Sequence, residues 1–118
     1  MNYDLEKRTL EFSKSVIVLV RPIKQNELNR NIISQLIRSA TSVGANYREA
    51  NGASSKKDFA NKIHICRKEI QETEYWLELL SEACSEIIEK VRVIWKEAHQ
   101  LTLIFNKISS SIKSKIEN

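Results

Sequence analysis

Four runs of residues spaced alternately three and four apart decide what this chain can fold into. The first is Leu5, Thr9, Phe12, Val16, Leu19 and Ile23. The second is Ile33, Leu36, Ala40, Val43, Tyr47 and Ala50. The third is Phe59, Ile63, Cys66, Ile70, Thr73, Leu77, Leu80 and Cys84. The fourth is Ile87, Val91, Ile94, Ala98, Leu101, Phe105, Ile108 and Ile112. That spacing places each set on one stripe of an α-helix. No segment sustains the two-residue alternation of a strand, so no sheet is expected. Only two glycines and one proline occur among 118 residues. A turn-rich sandwich, a collagen repeat and a flexible linker all need more backbone punctuation and are excluded. The apolar content of 42% also excludes a disordered tail.

The punctuation falls between the stripes. Pro22 ends the first helix, because the residue before a proline is pushed out of the α region. Asn26 or Asn29 caps the second. Asn51-Gly52 closes it, with glycine available for a left-handed turn. Ser55-Lys56-Lys57-Asp58 is a capping box at the start of the third helix, and Ser85 is placed to cap the fourth. Short loops make consecutive helices antiparallel. The expected fold is all-α, an up-down-up-down four-helix bundle, with residues 1–118 forming one domain.

Ser39, Ala40, Ser42, Gly44 and Ala45 are all small, which lets helix 2 approach another helix closely. Arg38, Asn46 and Glu49 read as a buried polar network fixing helix 2 against helix 3, in preference to a ligand site. Leu10, Ile17, Val20, Ile65, Trp76, Leu79, Ile88 and Trp95 lie off the main stripes. They either broaden the core face or form a subunit interface, where large aromatic side chains are enriched. A homo-oligomer is the favoured expectation.

The longest apolar run, Val16 to Val20, is five residues long, against about 20 for a membrane span. The opening residues, Met1 to Arg8, lack the basic leader and apolar core of a signal peptide. No membrane association and a cytoplasmic location are therefore expected. Cys66 and Cys84 lie 18 positions apart on one expected helix, which separates them by roughly 27 Å. They cannot bridge each other and read as buried thiols.

The net charge of +4 conceals a segregation. Residues 30–68 carry eight basic and two acidic groups, whereas residues 69–89 carry no basic and seven acidic groups. Helix 3 holds both signs. Lys56, Lys57, Lys62, Arg67 and Lys68 occupy its first half, and Glu69, Glu72, Glu74, Glu78 and Glu82 its second. This order opposes the helix macrodipole, so the acids require compensation. Lys90, Arg92 and Lys96 are expected to face Glu78, Glu82 and Glu86 across an antiparallel pair, or a neighbouring subunit does so. The basic half falls at the same end as Arg48, Lys7, Arg8, Lys107 and Lys113. Arg48, Lys56, Lys57, Lys62 and Arg67 are the candidate phosphate contacts of a nucleic-acid-binding surface. A solvated charged surface is the plainer reading of the same residues.

Recognisable catalytic chemistry is scarce. There is no glycine-rich phosphate loop, nucleophile elbow, Cys–His metal spacing or di-iron Glu-x-x-His pair, and neither a cofactor nor a metal is expected. His64 reads as a partly buried structural residue. Arg92 and His99 are seven positions apart and share a face. This matches the Arg-then-His spacing of HEPN-type ribonucleases, metal-independent enzymes in which His is the acid/base and Arg steadies phosphate charge. The pattern is short and arises easily by chance, and a surface Arg92 paired with the acidic end of helix 3 is the favoured reading.

The stretch from Gln35 to Leu80 resembles the four-helix-bundle family of 23S ribosomal RNA intervening-sequence proteins. The matching positions are Gln35, Leu36, Arg38, Ser39, Ala40, Ser42, Val43, Ala45, Asn46 and Glu49, followed by Ser55, Lys57, Asp58, Phe59, Arg67, Glu72 and Glu74. The chain departs from the pattern at Tyr47-Arg48 and at Ala50-Asn51-Gly52, which points to a longer helix 2. The resemblance implies a bundle assembling into a homopentameric barrel, with no catalytic activity. A related branch, the accessory variability determinants of diversity-generating retroelements, implies RNA or DNA and a reverse transcriptase as partners. The expected function is a non-catalytic homo-oligomer binding nucleic acid through its basic end. The alternatives are a protein-interaction scaffold without nucleic acid and the HEPN-like ribonuclease.

Overall fold

A computed structural model describes residues 2–117, with the side chains of residues 4–115. Four helices form: α1 (Asn2–Val20), α2 (Arg30–Asn51), α3 (Lys56–Ala83) and α4 (Ile88–Glu117). A single 3-10 turn, Ser85–Ile87, leads into α4. No strand occurs among the described residues. The helices pack α1 on α2, α2 on α3, α3 on α4 and α4 back on α1, with the last contact the least extensive. The bundle measures 49 × 23 × 21 Å, its length set by α4, since 30 residues span about 45 Å. None of its helices, among the described residues, is long and apolar enough to cross a membrane.

The stripes form the core. All six residues of the second stripe are buried, as are Leu5, Thr9, Phe12, Val16 and Leu19 of the first. In the third, Ile63 through Cys84 are buried and Phe59 is half-buried. Val91, Ala98, Leu101 and Phe105 carry the fourth, with Ile87, Ile94, Ile108 and Ile112 packed partly open around them. Tyr47 of α2 meets Phe105 of α4 edge-to-face across the bundle, ring centroids 5.8 Å apart. Burial raises the Tyr47 phenol above its ordinary pKa, and a hydrogen bond with Asn51 works against that rise.

The small residues of α2 bring helices together on both sides. A Cβ added at Gly44 would sit 3.3 Å from the Thr9 hydroxyl and 3.4 Å from its carbonyl carbon, so α1 rests directly on that backbone. The Ser13 hydroxyl lies 3.3 Å from the Ala40 carbonyl. Towards α3, the buried hydroxyls of Ser39 and Thr73 lie 3.0 Å apart. Ala45, by contrast, faces outward.

The helix ends differ from expectation in three places. The Asn26 side chain accepts from the backbone N–H of Leu28 and of Asn29, both at 2.9 Å, capping the turn that precedes α2. Asn29 occupies the cap position itself, yet its side chain makes no cap bond. It reaches instead to the Lys24 carbonyl and to Cys84 Sγ at 3.7 Å, tying the first loop to the end of α3. Gly52 stays right-handed, at φ −97°, because 3-10 type bonds from Gly52 N–H to Glu49 and from Ala53 N–H to Ala50 close the helix. Ser85 makes no capping bond; it opens the 3-10 turn. The Ser55 cap is as expected, its hydroxyl accepting from the Asp58 N–H at 3.0 Å.

Cys66 and Cys84 are free and buried. Burial pushes the Cys66 thiol up to about 12, and it donates to the Val43 carbonyl at 3.4 Å.

Candidate nucleic-acid interface

Most charges in the middle of α3 are engaged; Lys68 is exposed and makes no ion pair among the described residues. Arg38 of α2 donates to Glu69 at 3.1 and 3.3 Å and pairs with Glu72. Gln35 accepts from Arg38 Nε at 2.9 Å and holds the guanidinium in place. Glu72 also accepts from the Trp76 indole at 2.9 Å. Glu74 accepts from Thr102 of α4, and its other oxygen lies 3.5 Å from His99 Nδ1. One guanidinium thus offsets two carboxylates, where a fork geometry suits the task better than an ammonium. The network lies at the surface, Arg38 being 45% exposed, which corrects the expectation of a buried one. Glu49 likewise is outside, paired with Lys62, while Asn46 bonds back to Ser42 of its own helix. Arg38 and Glu49 thus serve the α2–α3 contact through Glu69, Glu72 and Lys62.

The five candidate phosphate contacts divide into held and free. Lys62 donates to Glu49 at 2.8 Å, and that hydrogen bond raises its pKa. Arg67 donates to Asn106 of α4 at 2.7 Å. Arg48 lies 3.6 Å from Glu6. Lys56 and Lys57, on the first turn of α3, are exposed and make no ion pair among the described residues. Lys7, Lys107, Lys113 and Lys115 are exposed as well. Arg8 belongs elsewhere: it grips Glu97 with two bonds of 2.7 and 2.8 Å, clasping α1 to α4.

Sequence reasoning missed a cleft at this end. It has a volume of about 550 Å³ and is lined by Ala53, Ser54, Ser55, Lys56, Phe59, Ile112 and Lys115. Phe59 was assigned to the core stripe, and nothing in the local sequence joins it to Lys115. The antiparallel register of α3 and α4 does that.

At the opposite end the expected cross-helix pairing is absent. Arg92 reaches Glu89 on its own helix at 2.6 Å. Glu78, Arg92 and Lys96 line one shallow cleft, yet Glu78, Glu82 and Glu86 form no ion pair among the described residues. His64 is exposed, against expectation. His99 stacks on Trp95 with ring planes 6° apart and its Nδ1 turned to Glu74. Arg92 is engaged with Glu89 rather than poised beside His99. Of the off-stripe apolar residues, Val20 is buried, and Ile65, Trp76, Leu79, Ile88 and Trp95 are half-buried. Leu10 and Ile17 are open, each 41% exposed.

A helical bundle with ion-paired flanks and a basic end is thus the class of molecule defined. The family model for 23S rRNA-intervening sequence proteins matches residues 1–92, and the chain belongs to that family. A crystal structure from Bacteroides thetaiotaomicron VPI-5482, of a protein with unknown function from the S23 ribosomal protein family, has the same fold. It is 35% identical, with a TM-score of 0.77, over 88% of this chain and 96% of that one. Among curated proteins none matches.

Proposed function

We propose that this protein is a non-catalytic, homo-oligomeric bundle that binds RNA or DNA through its basic end. The observation that supports this reading most is the pair Lys56 and Lys57. They stand exposed at the start of α3 and make no ion pair among the described residues, and Lys56 lines a cleft together with the exposed Lys115 of α4. Lysines that no carboxylate neutralises attract the phosphate backbone, and binding releases its condensed counterions. Arg48, Lys62 and Arg67 extend the surface while holding internal partners.

Assembly adds to the field, because a modest patch repeated by symmetry becomes a larger one. Exposed Leu10, Ile17 and Val18 on α1, Tyr75 on α3, and Val93 and Leu103 on α4 are among the apolar positions open to a neighbouring copy. Light scattering at high concentration is expected to give a multiple of 13.7 kDa; a strict monomer contradicts this part of the proposal. For binding, the test is retention of labelled RNA and DNA oligomers by the wild type and by a Lys56→Glu, Lys57→Glu, Lys62→Glu variant. The variant is expected to lose retention. Equal retention overturns the assignment.

A second reading, a protein-interaction scaffold without nucleic acid, is favoured by one feature. The α1–α2 groove, about 530 Å³, has Leu10 and Ile17 along one wall and Thr41, Gly44 and Ala45 along the other.

A further inference from the structure

The cleft between the start of α3 and the end of α4 combines an apolar and a cationic surface. Its floor is apolar: Phe59 and Ile112 are both half-buried, packed against the core on one side and open on the other. Its rim is cationic and polar, with Lys56 from α3, Lys115 from α4, and Ser54 and Ser55 between. Among the described residues, Asp58 lies on the same helical turn as Lys56 and Lys57 and makes no ion pair. At about 550 Å³ the cleft is within the range that holds small ligands. Lys115 and Ile112 lie beyond the residues matched by the family model, so the cleft depends on this chain's own α4 tail.

We propose that this cleft takes an unstacked base of a single-stranded nucleic acid. Phe59 is the stacking face, Ile112 and Ala53 are the apolar walls, and Lys56 and Lys115 contact the flanking phosphates. The proposal rests on the nucleic-acid reading above and deepens it by naming the form of ligand. In a duplex each base is covered by its neighbours, so its face cannot reach a recessed aromatic ring. In a single strand every base has a free π-face, and stacking on an aromatic side chain is tolerant of sequence. An apolar floor between two separated lysines suits a base between two phosphates. A purely electrostatic backbone contact leaves such a floor without use.

The experiment is fluorescence anisotropy of the full-length protein with four labelled probes: oligouridine, oligothymidine, an abasic strand of equal length and charge, and a matched duplex. The single strands are expected to bind at least about five-fold more tightly than the abasic strand, and more tightly than the duplex. Phe59→Leu keeps the apolar bulk and removes the ring, and it is expected to erase the preference for bases. Ala53→Phe, on the loop, fills the cleft from its wall and is expected to do the same without touching the core. The ratio of the oligouridine and oligothymidine affinities tells RNA from DNA as the preferred strand.

Equal binding of intact and abasic strands, with loss only in Lys56→Glu, Lys57→Glu, overturns the base cleft and leaves the nucleic-acid reading standing. Binding of none of the four probes at low salt overturns both. Displacement of a bound strand by an acidic peptide carrying an aromatic residue, at lower concentration than by free oligomer, also overturns the proposal in favour of a protein ligand.

Discussion

The middle and the ends of α3 carry similar residues and put them to different use. In the middle, Lys62, Arg67, Glu69, Glu72 and Glu74 are held by Glu49, Asn106, Arg38 and Thr102, while Lys68 is exposed and makes no ion pair among the described residues. Every one of those partners lies on α2 or α4, so these charges set how α3 sits between its neighbours. At the ends the charges are bare. Lys56 and Lys57 are open at the first turn, and Glu78 and Glu82 are open towards the last. Both ends oppose the macrodipole, each such charge costing about 0.3–1 kcal/mol where exposed. Charges that no ion pair offsets among the described residues, placed where they weaken the helix, are open to a ligand. For the lysines the apolar cleft beside them suggests what that ligand is.

The comparison can be sharpened from three directions, beginning with the largest effect. Cys66 lies on the inner face of the basic half. Its folded pKa, about 12, exceeds the unfolded value of about 8.5. A thiol whose pKa is raised by folding adds stability that is complete below pH 8.5 and is lost as pH rises towards 12. Relative to Cys66→Ala, the wild type is expected to lose up to about 1.4 kcal/mol per pH unit above pH 9 in urea titrations. Parallel pH profiles of the two proteins contradict a buried, protonated thiol. Next, Arg38→Ala leaves Glu69 and Glu72 unopposed. It is expected to cost about 1 kcal/mol at low salt, the upper range for a half-exposed ion pair, and less at 1 M salt. A loss that ignores salt assigns Arg38 a packing role instead. The smallest effect belongs to the bare acidic end. Glu82→Gln relieves repulsion from Glu78, one turn away, and is expected to raise stability by about 0.2–0.5 kcal/mol. A decrease reveals a cation that holds Glu82.

Much of the fold was legible because core formation obeys spacing. From Leu5 to Phe105, each position that the three-four rule selected lies buried or packed on the core. The errors arose where several local solutions compete. Gly52 had a left-handed option, but a 3-10 closure of α2 made it unnecessary. Asn26 and Asn29 are both plausible caps by sequence; Asn29 turns away because its side chain is taken up by Asn26 N–H, the Lys24 carbonyl and Cys84. Spacing alone puts Arg38, Asn46 and Glu49 on faces that could be buried, whereas in the fold Arg38 lies at the exposed edge of the α2–α3 contact. Arg8 and Glu97 are 89 positions apart, so no local pattern could pair them. The basic end was visible as a cluster of charge. Its division into held and free lysines depends on which carboxylates the helix register brings close, and so does the cleft that joins Phe59 to Lys115.

The central claim, that the free lysines of the basic end bind nucleic acid, is tested most directly by the salt dependence of oligouridine binding. Lys56, Lys57 and Lys115 together are expected to give a slope of about −2 in log K against log salt for each subunit engaged, at roughly 0.7 per phosphate neutralised. In Lys56→Glu, Lys57→Glu the slope is expected to fall towards zero with the affinity. A wild-type slope near zero, or the same slope in both proteins, contradicts the account.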